Sequence, residues 1–420
     1  KPSQTTSTDF ASSHTMSADS LRLRRTRPVK QLSEEKIESM RTAHENGQFL
    51  DEKDIRAHVT AIRQTIRNEE TRLRKKFTWL QHQDVIGFMS FSLSVLALVV
   101  TAFFYLKRRI HWSIVIPLMA LPGSILHEIE HDLIHNLYFK GKQWMHHLMF
   151  VVIYFTKWSI PPWSRKILHI RHHQESGTEK DVEERLIGLG RPLDFMRWAL
   201  TLYPFSNVVI LDELQEDNPK DFSKNRLIFA GIPTVVPFTI LWHLFLGYGR
   251  LNLGLVLGAY DPVAMLPEWG WPIVRDLSIL LLLPNVLRQA CLNLMASYSH
   301  YYGDIPANSV FYQNQIIDHW SMLPFQLFSF NFGATHIIHH FVPNQPFYLR
   351  QMLAPKSVAS MVANGVRRND WGIIKRNNRY FDETGTVTMK REQLDIDTGA
   401  AAAEAEVDHD SDDSPRSQEE

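Results

Sequence analysis

An apolar run without a single charged residue restricts the fold of this chain more than any other feature of its sequence. Residues 85–106 contain no Asp, Glu, Lys or Arg, and about 20 mainly apolar residues are enough for a helix to cross the hydrocarbon core of a bilayer. Residues 227–246 and 277–299 form two further mainly apolar runs, and a shorter run over 112–126 leads directly into His127. Because a spanning segment must satisfy its own backbone hydrogen bonds in lipid, the sequence predicts an all-α integral membrane protein with about four transmembrane helices.

Two of these runs contain residues that are unusual in a membrane helix. Pro233 and Pro237 interrupt one run, which is tolerated because neighbouring groups satisfy the freed backbone atoms. Arg288 lies inside another, where a charge is costly and usually faces the protein interior or a water-filled cavity. A shorter apolar and aromatic stretch, 144–160, is expected to be re-entrant or interfacial.

Polar segments flank the apolar middle of the chain. We predict a disordered N-terminal segment over residues 1–33, a charged amphipathic helical region over 34–80, the membrane domain over 81–380 and an acidic disordered tail over 381–420. The formal net charge of zero leaves no basic excess to neutralise phosphates, which argues against a nucleic-acid partner.

The 34–80 region contains apolar residues at helical spacing, which predict a narrow apolar stripe along a helix. They are Ile55, Val59, Ile62, Ile66 and Leu73. Arginines and lysines over 63–76 surround the stripe. Two interpretations fit this pattern: an amphipathic helix lying on a membrane surface, or a solvated helix packed on its own domain.

Histidine is the residue type that points to chemistry. Three short clusters, or histidine boxes, contain many of the 20 histidines of the chain. Spacings of three and four residues place imidazoles on one face of a helix, where they can bind a metal ion. The boxes are His127/His131, His169/His172/His173 and His336/His339/His340. A single buried histidine is usually a hydrogen-bonded core residue, but three such clusters in one chain indicate a metal centre.

Box one also satisfies a zinc-peptidase pattern. His127, Glu128 and His131 match HExxH, in which the Glu acts as general base. A membrane metalloprotease is therefore an alternative, although a catalytic zinc needs three protein ligands and one open position, which leaves the other boxes without a function. The single cysteine, Cys291, excludes an intrachain disulfide and a zinc site built from cysteines.

In order and spacing, the three boxes resemble those of the membrane fatty acid desaturase family and its relatives, the alkane hydroxylases. The gaps are 38 residues from His131 to His169 and 163 residues from His173 to His336. The long second gap resembles a family architecture with two spanning helices between boxes two and three. The resemblance implies a cytosolic helical cap carrying a di-iron site, with two Fe ions as cofactor and O2 as co-substrate. It also implies that the enzyme introduces a double bond into a fatty-acyl or lipid-like chain.

The same resemblance implies further site residues. The segment ASYSHYYGD places His300 at the end of a predicted spanning helix and is similar to an alkane hydroxylase motif, whereas many desaturases have an Asn where this chain has Ala296. A membrane di-iron hydroxylase is therefore the main alternative. Asp132 and Asp304 are the carboxylates expected to orient the ligating histidines, and His135 is an alternative ligand. The implied metal ligands are His127, His131, His169, His172, His173, His300, His336, His339 and His340.

Electrons for such a reaction are expected from a separate protein, because the chain has no flavin or nicotinamide fingerprint and no set of cysteines for an iron–sulfur cluster. The expected partners are a cytochrome b5, a ferredoxin or a reductase, together with a lipid substrate and the membrane. The basic residues over 63–76 are a candidate docking surface for an acidic donor. We expect a multi-pass protein of the endoplasmic reticulum in a eukaryote, or of the inner membrane in a bacterium. A non-catalytic lipid-binding relative is a further alternative, against which the intact boxes argue.

Overall fold

The computed structural model of the protein describes its central part. The described residues are 33, 35–37, 39–40, 48–178, 180–189, 195–201, 203, 206–220, 222–248, 267–300, 305–306 and 309–373. Residues 1–32 of the disordered segment predicted over 1–33, the tail over 381–420 and Asp304 lie outside them. Among the described residues all regular structure is helical, apart from two isolated β-bridges, so the all-α prediction is confirmed.

The described α-helices are numbered here in chain order. They are α1 (Glu52–Lys76), α2 (Gln83–Leu106), α3 (Trp112–Ile134), α4 (Gln143–Lys157), α5 (Pro162–Glu175), α6 (Val182–Gly188), α7 (Phe195–Thr201), α8 (Leu211–Asp217), α9 (Lys224–Tyr248), α10 (Gly270–Ser299), α11 (Val310–Gln313), α12 (Leu323–Phe328), α13 (Phe332–Phe341) and α14 (Phe347–Ala363). Within α10, a π-helical turn over Ser278–Leu282 separates two α-helical parts.

Four helices, α2, α3, α9 and α10, are long and apolar enough to cross a membrane. They coincide with the four apolar runs of the sequence, so the described residues contain the expected number of candidate spans. The helix formed by the second run is longer than the run itself, because α3 continues without a break from residue 126 to Ile134. Both α2 and α10 pack against α3, so that α3 is the most enclosed of the four.

The 144–160 stretch forms α4, which is too short to be among the spanning candidates. It packs against α3, and its Met149, Phe150 and Ile153 are buried in a cluster with apolar residues of that helix. This placement agrees with the expectation that the stretch does not cross the membrane as a full span.

Helix α1 packs on its own domain. Ile62 and Ile66 are fully buried, and the apolar stripe lies in one core cluster with residues of α13 and α14. The structure therefore favours the second of the two interpretations of this stripe. The helix begins with Asp51 as N-cap, whose side chain accepts a hydrogen bond from the backbone of Asp54, which satisfies one of the free N–H groups of the first turn.

Helix α13 carries box three and packs very closely on its neighbours at Gly333. A Cβ atom at this position would lie 2.5 Å from the carbonyl oxygen of Ile317 and 2.6 Å from Cε of Met295 on α10. The backbone N–H of Ile317 donates to the Gly333 carbonyl at 2.9 Å, and the Gly333 N–H donates to Gln326 at 3.1 Å. Only glycine permits this approach, which brings box three against α10.

Candidate metal centre

The structure brings histidines from all three boxes and from the end of α10 into two buried groups. In each group the ring nitrogens lie within 4.8 Å of one another. The first group contains His131, His135, His169, His173 and His339, and the second contains His172, His300, His336 and His340. Eight of the nine ligands implied by the sequence resemblance lie in these groups.

His127 is the ninth, and it lies in neither group. Its Nδ1 is 3.0 Å from Nζ of Lys157 and its Nε2 is 3.3 Å from Arg165. His135, which the sequence offered as an alternative ligand, occupies the first group instead. Box one of the structure is therefore His131/His135, one helical turn later than the pair chosen from the sequence. The HExxH pair of His127 and His131 does not converge on a common point.

Helical periodicity explains how single boxes supply both groups. In box two, His169 and His173 are four residues apart, share a face of α5 and belong to the first group. His172 belongs to the second group. In box three the assignment is reversed: His336 and His340 join the second group and His339 joins the first. Each of these two boxes thus contributes histidines to both groups.

The protonation pattern of the rings shows why the groups suit metal ions. The Nδ1 atom of His169 lies 2.6 Å from the Glu183 carboxylate, and Nδ1 of His300 lies 2.8 Å from the carbonyl of Ala296. Because these partners only accept hydrogen bonds, each Nδ1 carries the proton and each Nε2 presents a lone pair. Those Nε2 atoms face the Nε2 atoms of His173 and His336 at 3.2 and 3.1 Å.

These Nε2–Nε2 distances match those between two neighbouring ligand atoms on one metal ion. Two nitrogens bound to one metal at about 2.0–2.1 Å and at right angles are about 3 Å apart. In addition, Nε2 of His131 and Nε2 of His135 are buried and make no hydrogen bond within the described part of the chain. Buried polar atoms normally have a partner. The donor set therefore fits one metal ion in each group.

Burial keeps most of these imidazoles in the neutral form that binds metals. It lowers the pKa of His135, His169, His173, His336, His339 and His340 well below the usual value. It also lowers the pKa of His300 to about 3. His172 differs: burial lowers its pKa, but the carboxylate of Asp181, 2.7 Å from Nδ1, outweighs that effect and raises it to about 9. Asp181 therefore favours positive charge on this ring, from a proton or from a metal ion.

Comparison with known protein families assigns the chain to one family. The model of the family described as fatty acid desaturase matches residues 110–371, which is more than half of the 420 residues and includes every histidine of the two groups. The chain belongs to the fatty acid desaturase family. No curated protein matches the chain.

Three carboxylates of this desaturase-family site were not identified from the sequence. Asp181 and Glu183 bind Nδ1 of His172 and His169, and Glu184 lies 3.3 Å from Nδ1 of His300. All three lie at the start of α6, where the segment DVEE begins eight residues after His173. The nearness of this acidic segment to box two was the signal available in the sequence, because ligating histidines usually bind a carboxylate through the other ring nitrogen.

Asp132, which the sequence analysis selected, is fully buried but does not hydrogen-bond a histidine. Its nearest approach to Nδ1 of His131 is 3.8 Å, which exceeds hydrogen-bonding distance. It accepts hydrogen bonds from Tyr138 at 2.7 Å and from the backbone of Phe347 at 2.8 Å. Asp132 therefore fixes the box-one end of α3 against the start of α14.

Arg350 connects α14 to the same end of α3. Its Nη2 lies 2.8 Å from Glu128 and 3.2 Å from Asp132, and its Nη1 lies 3.2 Å from Nδ1 of His339. All of these side chains are buried. The guanidinium group thus neutralises two carboxylates that would otherwise lie uncompensated beside the first histidine group.

Proposed function

We propose that the chain is an O2-dependent di-iron oxidoreductase that introduces a double bond into a fatty-acyl or lipid-like chain. The observation that carries the proposal is the pair of adjacent groups, built from nine histidines, in a chain of the fatty acid desaturase family. Imidazole suits iron as well as zinc. Five histidines in the first group exceed the four ligands that zinc usually takes, which favours iron.

In this proposal the nine ligands are the eight histidines shared with the sequence prediction together with His135. Iron ions bound by these histidines would supply the activation of O2 and the removal of hydrogen from an unactivated carbon. Desaturation removes two hydrogens from the lipid and reduces O2 to two water molecules with two further electrons and two protons. The protein fixes the ring orientations through Asp181 and Glu183, which hold the Nδ1 protons of His172 and His169.

The proposed topology is multi-pass, with α2, α3, α9 and α10 crossing the membrane as two antiparallel pairs. The box-one end of α3 and the His300 end of α10 meet in the histidine groups, so both ends lie on one side. The starts of α2 and α9 then lie on that side as well. The helices that carry boxes two and three form the cap, which we propose to be cytosolic, where a soluble or membrane-anchored electron donor can reach it.

We propose that a separate protein supplies the electrons and that it docks at the basic end of α1. Arg63 on this helix donates to the carbonyl of Phe341 at 3.0 Å, directly after His340 of box three. Lys75 and Lys76 are exposed in the last turn. A positively charged helix end suits an acidic donor such as a cytochrome b5 or a ferredoxin.

A second candidate function is hydroxylation of a lipid or hydrocarbon. One observation favours it: Ala296 stands one turn before His300 and contributes only its backbone carbonyl to that histidine. The position thus offers no amide side chain to the metal, unlike the Asn found there in many desaturases. Which product forms depends on how the substrate carbon is placed relative to the metals.

Mass spectrometry of the lipids of cells that express the protein tests both functions. We expect a lipid lighter by two hydrogen atoms than its precursor if the enzyme desaturates, and one heavier by an oxygen atom if it hydroxylates. His172→Ala should abolish the product because His172 lies in the second group. His82→Ala is the matched control, since His82 is exposed. Identical lipids in cells with the wild-type protein and with His172→Ala would contradict both functions.

A further inference from the structure

A second cavity lies beside the histidine groups. It has a volume of about 270 Å³ and is bordered by α3, α4, α5, α6, α9 and α10. Five side chains line both this cavity and the one at the histidines: His127, Arg165, Glu183, Ile187 and Leu292. The two spaces are therefore separated by a single layer of side chains.

One wall of this cavity is cationic. Lys157, Arg165 and Arg288 line it, and two carboxylates lie next to them. Glu130 pairs with Lys157 and, at 3.3 Å, with Arg165. Glu183 pairs with Arg165 at 3.3 Å and also binds His169. Both carboxylates are thus engaged by other groups and neither forms an ion pair with Arg288.

Arg288 is the exceptional member of this wall. Its side chain is 2 % exposed, and its Nη2 contacts only the amide oxygen of Gln289 at 3.2 Å. Its Nε and Nη1 make no hydrogen bond with any described residue, and within the described ranges it forms no ion pair. A buried guanidinium with no directly paired carboxylate is unfavourable, and this one lies inside a candidate spanning helix, where such charges usually serve a function.

The remaining walls are mainly apolar. They are formed by Trp158, Ile160, Leu168, Val235, Phe238 and Val286. A ligand that matches the whole cavity has a negatively charged group for Arg288 and a hydrocarbon part for these walls. A neutral hydrocarbon would leave the guanidinium without a counter-ion, and a small inorganic anion would leave the apolar walls uncovered.

We propose that this cavity binds the anionic end of an amphiphilic lipid, with Arg288 as the counter-ion of its oxyanion. A guanidinium group binds a carboxylate or a phosphate through two parallel hydrogen bonds, so the oxyanion is either a fatty-acid carboxylate or a lipid phosphate. The inference rests on the proposed function, because the bound lipid is then the substrate. Anchoring the anionic end at a fixed point determines which carbon of the chain lies at the histidine groups.

The test is equilibrium binding of three labelled probes of equal chain length to the purified, iron-loaded protein. Palmitic acid carries a carboxylate, hexadecyl phosphate carries a phosphate, and hexadecanol carries no charge. We expect the wild-type protein to bind at least one anion about tenfold or more tightly than the alcohol, as for a charge-assisted bidentate pair. Which anion binds distinguishes the two lipid sources.

Variants of Arg288 test whether the preference for an anionic probe arises in this cavity. Arg288→Gln should remove the preference and leave the affinity for hexadecanol unchanged, while Arg288→Lys should retain part of it. Arg275→Gln is the matched control, because Arg275 lies on the same helix but pairs with Asp276 away from the cavity. Equal binding of all three probes by the wild-type protein would overturn the proposal, as would an Arg288→Gln variant that loses affinity for all three alike.

These measurements are made without O2 and without reductant, so they do not depend on turnover. A protein that prefers the anion but forms no product would refute the proposed reaction and leave the anion site standing. A protein that forms a product but does not prefer the anion would refute the anion site alone.

Discussion

Two adjacent regions of α3 serve opposite electrostatic needs. At its end, His131 and His135 present unpartnered ring nitrogens that suit a cation. One turn earlier, His127 and Glu130 face Lys157 and Arg165. In this region Arg288, whose Nε and Nη1 make no hydrogen bond with any described residue, suits an anion. The difference teaches that a histidine box read from sequence can extend over two sites, and that only the packed neighbours determine which histidine belongs to which.

The two regions also differ in what holds them together. In the histidine groups, ring nitrogens converge, and a bound metal ion would compensate their lone pairs. The cationic region depends on Glu130, which is 1 % exposed and lies between Lys157 and Arg165. Substitutions in one region should therefore change metal content, whereas substitutions in the other should change stability or ligand binding and leave the metal in place.

The largest change in stability is expected for Glu130→Gln. It leaves the buried Lys157 without its carboxylate, and removing one partner of a buried ion pair costs about 3–5 kcal/mol. The free energy of unfolding in detergent measures the effect. Glu52→Gln breaks an exposed pair with Arg56 and should cost less than about 1 kcal/mol. Loss of iron from the folded Glu130→Gln protein would show that the two regions are not separate.

Asp181→Asn should weaken metal binding in the second group. It removes the negative charge from the partner of His172, and changes to such partners typically cost about 10–100-fold in metal affinity or activity. A titration with iron, followed by the activity of the reconstituted protein, checks the prediction. The exposed Asp212 pairs with Lys224, and Asp212→Asn should bind iron like the wild type. Unchanged affinity in Asp181→Asn would mean that the carboxylate does not support the ligand.

Gly333→Ala should displace box three. The added Cβ meets backbone at 2.5 Å, and overpacking of this kind typically costs about 1–3 kcal/mol. We expect a lower free energy of unfolding together with reduced iron content. Gly123→Ala is the control, since its nearest neighbour would be Cδ of Arg288 at an ordinary 3.6 Å. Equal stability of the Gly333→Ala protein and the wild type would contradict the close approach of α13.

The smallest effect is expected at the surface of α1. Replacing both Lys75 and Lys76 by Glu should slow electron transfer from an acidic donor by about tenfold at low ionic strength, because long-range charge steers the encounter. Stopped-flow reduction of the iron centre measures this rate. Lys53→Glu, at the opposite end of the helix, should have little effect. An unchanged rate in the double variant at low salt would place the donor elsewhere.

The helical fold and most members of the two histidine groups could be predicted from the sequence. Long apolar runs predict the candidate spanning helices directly, because a helix needs about 20 mainly apolar residues to cross the bilayer. The sequence selects boxes two and three and His300 as candidate ligands because their spacing allows few alternatives, and all seven of these histidines lie in the two groups. For box one the sequence selects His127/His131, whereas His131/His135, which have the same spacing, lie in the first group. The choice between these pairs depends on Lys157 and Arg165, which are distant in sequence and reach α3 only through tertiary packing.

The iron content of two matched variants tests the central claim, that His135 and not His127 belongs to the metal centre. The wild-type protein should contain two iron ions per chain. His127→Ala should retain both, because His127 lies outside the two groups, whereas His135→Ala should lose iron from the first group. Loss of iron from His127→Ala with full iron in His135→Ala would contradict the account.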